Sequence, residues 1–254
     1  MFSSFSNPQS SHEHSLITLN ELYEYDDFME SISRVVDLGC GAEALDLQWW
    51  ADATSRDDED PQPLNIQCTG IDIIETINAS AKRNNISYQR TDLETWDQTK
   101  RPYDVLWCHD TFQYITNPLQ ALGKWWNVAA QDAMLVLVLP QTTNIEFNQQ
   151  AYDLPSGCYY NHTLSSLMYM LAVNGWDCGG GFFKKKPNEN WLHAIVYRSE
   201  QTPRDPRSTT WYDLLETGLL PKTAEESIVK YGKLRQRDLV LPWVDKSLTW
   251  FGQQ

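Results

Sequence analysis

Three carboxylates carry the most chemical information in this sequence. Asp37 ends a β-branched segment, Asp72 ends the next apolar segment, and Asp92 follows a third. An ionised carboxylate only accepts hydrogen bonds, so it suits the hydroxyl and amine groups of a ligand. Gly39 and Gly41 come directly after the first acid and permit a sharp turn at which a ligand can approach the backbone. These residues predict a binding site for a ligand with several donor groups.

The segment around Asp37 reads as a strand, a glycine turn and a helix. Val35 and Val36 favour a buried strand. The N-terminus of the following helix offers N–H groups, and an open sheet has a crevice at the carboxyl ends of its strands. At the tip of this strand, the charge of Asp37 favours an amine or a hydroxyl and repels a pyrophosphate.

A candidate proton acceptor follows the fourth predicted strand. Residues 103–108 form an apolar run typical of the middle of a parallel sheet, and His109 and Asp110 come next. Either side chain could take a proton from a reacting hydroxyl or ammonium group, and histidine changes charge closest to neutral pH. The alternative role for His109 is a ligand contact or a contribution to the structure of the loop.

The elements that must position these residues alternate between helix and strand. Apolar spacing and capping signals predict helices at residues 16–32, 42–53, 79–85, 164–173 and 209–219, and others from residues 118 and 223. Strands after the first are predicted at residues 66–73, 86–90, 103–108, 133–139, 180–185 and 191–197. Residues 1–14 are predicted to be a loose tail, so His12 and His14 are interpreted as tail residues rather than metal ligands. Tyr23 and Tyr25 either cover the site or pack the first helix.

Composition restricts the partners of the protein. A chain of 254 residues is long enough for one sizeable core, and its net charge of −14 disfavours nucleic acid and anionic membrane surfaces. The five cysteines form no Cys-x-x-Cys pair, which is typical of reduced thiols in the cytoplasm. The longest apolar run is too short to span a bilayer. We therefore expect a cytoplasmic protein with no bound metal that acts on a neutral or cationic small molecule.

Residues 36–41, reading Val-Asp-Leu-Gly-Cys-Gly, resemble the first motif of the class I S-adenosylmethionine-dependent methyltransferases. Asp72, the pair Asp92 and Leu93, and the run of residues 103–110 are similar to the later motifs of the family members that act on small molecules. The chain lacks the Asp/Asn-Pro-Pro-aromatic run of enzymes that methylate exocyclic amines of bases. The resemblance covers about residues 35–198 and implies a doubly wound Rossmann-like α/β sheet of about seven strands, mostly parallel with an antiparallel terminal hairpin.

The resemblance also implies the site. S-adenosylmethionine would be the cofactor, and in-line displacement would move its methyl group to an oxygen or nitrogen atom of a small molecule. The cofactor-binding residues carried over from the family are Asp37, Gly39, Cys40, Gly41, Asp72, Ile73, Asp92, Leu93 and His109. The catalytic candidates are His109 and Asp110. Residues 141–162 would lie over the mouth of the site, which makes Tyr152, Tyr159, Tyr160 and His162 candidates for substrate contact or for packing of a lid.

Two alternative functions are also compatible with the sequence. One arises because the chain departs from the family motif, and the other because its glycines also fit a second motif. Glu43 stands where the family usually has a third glycine, and its side chain could crowd the methionine part of the cofactor. A methyltransferase-like fold that serves as a non-catalytic binding or assembly module is therefore one alternative. The other is an NAD-dependent oxidoreductase, because Gly39, Gly41 and Ala44 also satisfy the looser dinucleotide fingerprint.

Three domains or segments are predicted. Residues 1–34 form a tail and a helix that caps the sheet, residues 35–198 form the methyltransferase-like domain, and residues 199–254 form a helical extension. Trp243, Trp250 and Phe251 in the extension would expose much apolar surface unless they were covered. We expect the extension to pack on the core or on a second copy of the chain, as in a homo-oligomer.

Overall fold

A seven-stranded sheet forms the centre of the computed structural model, which describes residues 8–24, 26–55, 60–75, 77–78, 81–97, 100–140, 160, 162–185 and 191–234. The strands are β1 (Arg34–Leu38), β2 (Gln67–Asp72), β3 (Ile86–Arg90), β4 (Tyr103–His109), β5 (Ala129–Pro140), β6 (Trp176–Lys185) and β7 (Trp191–Arg198). Their order across the sheet is β3-β2-β1-β4-β5-β7-β6. The first five strands are parallel, and β7 pairs antiparallel with both β5 and β6. This arrangement confirms the predicted Rossmann-like fold.

Helices cover both faces of the sheet. They are α1 (Pro8–Tyr23), α2 (Asp26–Ser31), α3 (Leu45–Ala51), α4 (Pro118–Val128), α5 (Leu164–Val173), α6 (Trp211–Leu215) and α7 (Lys222–Tyr231). One buried cluster joins α1, α2 and α3 to one face of the strands, and we call this side of the sheet the α3 face. A larger cluster joins α4, α5, α6 and α7 to the other side, which we call the α4 face.

Side chains alternate between the two faces along each strand, and this alternation places the polar residues at the strand ends on the α3 face. Val35 and Val105 belong to the cluster on the α3 face, whereas Val36 and Leu106 belong to the cluster on the α4 face. Successive side chains of a strand point to opposite faces, so Asp37, two residues after Val35, projects on the α3 face. By the same rule Asp72 of β2 and His109 of β4 project there too, because Cys68 and Trp107 belong to that cluster.

Several predicted bounds were wrong. The chain is helical from Pro8, not a tail up to residue 14, and the predicted helix at residues 16–32 is two helices, α1 and α2. Residues 81–85 contain no α-helix although residues 79–85 were predicted to form one. β5 begins at Ala129, four residues early, because the predicted turn at Asp132 is a bulge within the strand, with φ 59° at Asp132.

The capping signals gave mixed results. Asn117 accepts a hydrogen bond from the backbone N–H of Gln120 at the start of α4, as predicted. Gly175, with φ 79°, follows the end of α5 as predicted. The expected capping box at Thr223 was wrong, because α7 begins at Lys222 after Pro221.

The described part of the extension packs on the α4 face. Leu214, Leu219, Leu220, Ala224 and Ile228 are buried in the same cluster as α4 and α5. Trp243, Trp250 and Phe251 lie outside the described residues. Among the residues that the structure describes, no helix combines the length and the apolar character needed to cross a membrane.

Candidate functional site

The tips of β1, β2 and β4 meet at one edge of the sheet. Asp37 of β1 is in register with Gly70 of β2 and Trp107 of β4. The turn after β1 is held against its neighbours, because the backbone N–H of Gly39 donates to the carbonyl of Ile71 over 2.8 Å. The hydroxyl of Thr111 lies 3.3 Å from the Gly39 carbonyl. The three strand ends therefore form one connected surface.

Two glycines of this turn have separate reasons to be glycine. Gly39 has φ 89°, and a Cβ there would overlap the side chain of Thr111. Gly41 has φ 64°, and a Cβ there would meet no atom of the described residues within 4 Å. The first glycine lets the β4 tip pack against the turn. The second leaves open space in front of the backbone, where a ligand can approach.

Asp72 is tied to this turn. Its carboxylate accepts from the backbone N–H of Gly41 over 2.8 Å and from that of Ile74 over 3.1 Å. The neighbouring Ile73 is 62% exposed, which is unusual for a large apolar side chain. An acceptor pair and an exposed apolar surface are thus adjacent at the end of β2.

Asp37 is a buried acid of the site. It is 3% exposed, and its carboxyl group makes no hydrogen bond with any residue that the structure describes. Burial raises its pKa well above the ordinary value, and the carboxylates of Asp46 and Asp72 raise it further. Asp37 is therefore disposed to be neutral until a donor or a positive charge faces it.

Cys40 lies in the same region as a neutral thiol. Burial raises its pKa, and the charges of Asp37 and Asp72 raise it further. Its Sγ occupies the space that a side chain at residue 70 would need, since a Cβ on Gly70 would come within 2.7 Å of it. Cys40 packs the turn and is not a thiolate nucleophile.

The third predicted acid is exposed. The carboxylate of Asp92 accepts from the backbone N–H of Glu94 over 2.8 Å, as in an Asx turn. Leu93 is buried, and its carbonyl accepts from the indole N–H of Trp125 over 3.1 Å. A cofactor role for Asp92 and Leu93 stays a prediction, and the turn role of Asp92 is what the contacts show.

A buried carboxylate on α3 connects three elements. Asp46, 6% exposed, accepts from Nδ1 of His12 on α1 over 2.5 Å and from Nδ1 of His109 on β4 over 2.8 Å. The indole N–H of Trp107 also donates to it over 3.0 Å. Burial alone would raise the pKa of Asp46, but the contacts with His109 and then His12 lower it well below its ordinary value. Asp46 is therefore ionised and fully hydrogen-bonded.

An aromatic side chain borders this cluster. The ring of Trp191 lies 5.7 Å from that of His109, centre to centre, and stacks on His14 of α1 at 4.4 Å. His12 and His14 are therefore parts of the site's wall, and their interpretation as tail residues was wrong. Tyr23 packs edge-on against Trp49 at 6.0 Å, and Tyr25 lies outside the described residues.

Asp110, the other catalytic candidate, faces a different neighbour. With φ 49° it accepts from Nε2 of Gln113 over 2.6 Å. Gln113 is buried in the short 3-10 turn Phe112–Tyr114 that follows β4. Asp110 thus anchors that turn, whereas His109 belongs to the cluster around Asp46.

The two described substrate candidates lie beside the same turn. The Tyr160 hydroxyl donates to the carbonyl of Thr116 over 2.9 Å, and its ring stacks on His162 at 5.6 Å. His162 is 3% exposed, lies 4.9 Å from the ring of Phe112, and has its pKa lowered to about 4 by burial. Tyr160 is partly exposed and His162 is core. Tyr152 and Tyr159 lie outside the described residues.

Glu43 is exposed, and its carbonyl accepts from Nε2 of Gln48 over 2.7 Å. The left-handed residue needed before α3 is Ala44, with φ 47°. Within the described part of the chain, no group of three or more histidine, cysteine, aspartate or glutamate side chains is arranged to hold a metal ion.

Sequence reasoning missed Asp46 and His12. One signal was available for Asp46: it shares a helical stripe with the apolar Trp50, four residues later. An acid on the buried stripe of a helix needs a partner. No local pattern distinguishes His12, because only the fold brings it to Asp46.

Residues 36–137 match a family model described as a methyltransferase domain. No curated protein matches the chain. Solved structures do match. The N-methyltransferase NodS from Bradyrhizobium japonicum is 15% identical, with a TM-score of 0.51, and the match covers 77% of this chain and 99% of that one.

Two further solved structures share the fold. The plantazolicin methyltransferase BpumL, solved with a substrate analogue and SAH, is 17% identical with a TM-score of 0.56, covering 76% of this chain and 87% of that one. The phosphoethanolamine N-methyltransferase 2 of Haemonchus contortus is 11% identical with a TM-score of 0.57, covering 74% and 53%. At these identities the likeness concerns the fold.

Proposed function

Because residues 36–137 match a model of a methyltransferase domain, we propose that this chain is a class I S-adenosylmethionine-dependent methyltransferase that methylates an oxygen or nitrogen atom of a small molecule by in-line displacement. S-adenosylmethionine is its cofactor. One observation carries the proposal: Asp37 is buried without a hydrogen-bond partner among the described residues, beside the open backbone at Gly41. A carboxyl group in a buried residue that makes no hydrogen bond with a described residue suits a ligand that brings an ammonium group.

The residues present fit this cofactor. In the proposal, Asp37 faces its amine, Asp72 accepts from the ribose hydroxyls, and the exposed side chain of Ile73 packs on the adenine. Asp92 and the backbone of Leu93 would contact the edge of that base. The bare turn at Gly39 and Gly41, with Cys40 between them, would let the methionine part approach the backbone.

The chemistry asks little of the protein beyond placement. The bound cofactor supplies a sulfonium methyl group that is already activated toward nucleophiles. Holding an acceptor in line with such a group can contribute about 7 to 11 kcal/mol of the barrier. A base is needed only for an acceptor that must lose a proton, and His109 is better placed for that than Asp110, which is engaged by Gln113.

We propose that the methyl acceptor is a small molecule. The net charge of −14 favours a neutral or cationic molecule over a nucleic acid. Tyr160 is a described candidate for acceptor contact, with Tyr152, Tyr159 and the buried His162 as the remaining predictions. A cytoplasmic location and a homo-oligomer formed through residues 199–254 are predictions of the same standing, and light scattering of the purified protein would test the second.

The test has two stages. Calorimetric titration should show binding of S-adenosylmethionine and of its demethylated product, and none of NAD. Extract metabolites are then offered together with cofactor labelled at the methyl group, and products are identified by mass spectrometry. A labelled small molecule supports the proposal. Cofactor binding without any labelled product would favour the non-catalytic module, and absence of cofactor binding would overturn both the cofactor site and the reaction.

A further inference from the structure

We propose that Asp46 is a positioning residue that holds His109 in the tautomer able to take a proton from the acceptor. This inference rests on the proposed function, since it concerns the step in which the acceptor loses its proton. It starts from the contacts of one carboxylate with three donors on two elements: His12 on α1, and Trp107 and His109 on β4.

The contacts assign the protons of both rings. Asp46 is ionised, and an ionised carboxylate can only accept. The ring nitrogens that touch it, Nδ1 of His109 and Nδ1 of His12, must therefore carry hydrogen. When His109 is neutral, the lone pair of its ring is on Nε2. In the proposed step, the acceptor's proton would move to Nε2 of His109 as the acceptor atom gains the methyl group and the bond from that methyl group to sulfur breaks, leaving the demethylated cofactor. The resulting imidazolium, balanced by Asp46, would later give the proton to water.

The position of Asp46 argues for a role beyond packing. It lies in the first turn of α3, where Leu47 and Trp50 of the same helix are also buried. An ionised carboxylate buried there costs several kcal/mol unless it is fully hydrogen-bonded. Three donors from two other elements offset that cost, and two of them are imidazoles that a neutral, apolar residue would leave without orientation.

The variant Asp46→Asn, in which an NH2 group replaces one carboxylate oxygen, should affect the two imidazoles differently. In Asp46→Asn one side-chain oxygen remains, and the indole N–H of Trp107 can only donate. Trp107 and His109 share the same carboxylate oxygen, so the amide oxygen should face them and the amide nitrogen should face His12. His12 must then present a bare Nδ1. We expect His12 to change tautomer and His109 to keep its Nδ1–H.

The experiment is nitrogen–proton correlation NMR of the imidazoles in the full-length ¹⁵N-labelled protein at mildly alkaline pH. Single His→Gln variants assign the signals. Wild type should show Nδ1–H for both His12 and His109, Asp46→Asn should switch His12 alone, and Asp46→Ala should release both rings. Asp52→Asn is the matched control, because Asp52 follows α3 but is exposed and pairs with Arg83. It should change neither ring.

Several outcomes would overturn the inference. An Nε2–H tautomer of His109 in wild type is one, and unchanged rings in Asp46→Asn is another. If Asp46→Ala fails to fold, the isosteric Asp46→Asn still decides. Once an acceptor is known, Asp46→Asn should lower kcat by about tenfold or more while the KM for cofactor stays unchanged. Unchanged kcat would remove the catalytic role even with the tautomers as expected. Failure of wild type to bind S-adenosylmethionine would refute the proposed function instead, and calorimetry reports that separately.

Discussion

The two faces of the central sheet differ in chemistry although the same strands build both. On the α4 face, β4 and β5 carry aliphatic or thiol side chains toward their carboxyl ends, as in Leu106, Cys108 and Leu137. On the α3 face, the same strand β4 carries Trp107 and then His109. Alternation with a period of two residues lets one strand supply stability to one side and polar groups to the other.

The difference shows where the molecule accepts an energetic cost. The α4 face buries large apolar side chains, which stabilises the fold. The α3 face buries both Asp37 and Asp46. Burial raises the pKa of Asp37, and the charges of Asp46 and Asp72 raise it further. Unfavourable electrostatics concentrated at the strand tips of one face are typical of a functional site.

The largest expected effect tests the α4 face. Trp125 is fully buried, and its indole N–H donates to the Leu93 carbonyl. Trp125→Ala should lower the free energy of unfolding by about 3 to 5 kcal/mol, measured by urea denaturation. Tyr212→Ala, at a side chain that is 57% exposed, is the control and should change it by about 0.5 kcal/mol or less. Equal effects of the two would contradict the assignment of Trp125 to the core.

The next prediction moves to the polar face. Asp72→Ala removes the carboxylate proposed to accept from the ribose, so cofactor affinity should fall by about 1.5 to 3 kcal/mol in calorimetric titration. Asp60→Ala, on the exposed loop before β2, serves as control. An unchanged dissociation constant in Asp72→Ala would refute the ribose role.

The third prediction concerns an ionisable group on the apolar side. Burial lowers the pKa of His162 to about 4, below the 6.5 of an unperturbed histidine. The folded state therefore disfavours the protonated ring, so the contribution to stability is complete above about pH 6.5 and is lost as the pH falls toward 4. Between pH 7 and pH 5 the loss should be about 2 kcal/mol.

His162→Phe keeps a ring against Phe112 and removes the titration. Urea denaturation at the two pH values should then show a smaller loss in the variant than in wild type. The same loss in both proteins would mean that His162 titrates normally.

The smallest expected effect is that of Asp37→Asn, which should raise the stability of the free protein and lower its affinity for the cofactor. The folded pKa of Asp37 is raised, so its contribution to stability is fully present below the unfolded value near 4 and is lost as the pH rises through the folded value. Asp37→Asn keeps the shape without this loss, and the melting temperature of the free protein at neutral pH should rise by about 2 to 4 °C. Cofactor affinity should fall. A lower melting temperature, by calorimetry, would show that Asp37 is satisfied in the free protein.

Much of the α4 face could be predicted because its signals are local. The cap at Asn117, the helix α5 and the glycine after it depend on neighbours in the sequence. The first strand and its turn are also local, since Gly39 and Gly41 need positive φ whatever surrounds them. The parallel order of the strands followed from the family resemblance.

The rest of the site depends on contacts between residues far apart in the chain. His12 reaches Asp46 across 34 positions and His109 reaches it across 63. Polar residues before residue 15 predict a tail unless a buried partner is known, which is why the first part of α1 was taken for a tail. The extra length of β5 is similar, because the bulge at Asp132 is tolerated only while its neighbours in the sheet remain paired.

Aromatic rings on the α3 face form a series that leads to the cluster around Asp46. Tyr23, Trp49, Trp50 and Trp107 follow one another with ring centres 6.0, 5.1 and 5.9 Å apart. At such separations the electronic transitions of neighbouring indoles couple, so this region should contribute to the near-ultraviolet circular dichroism signal of the chain. Since Trp107 donates to Asp46, that signal provides an intrinsic optical probe of whether α1, α3 and β4 remain assembled.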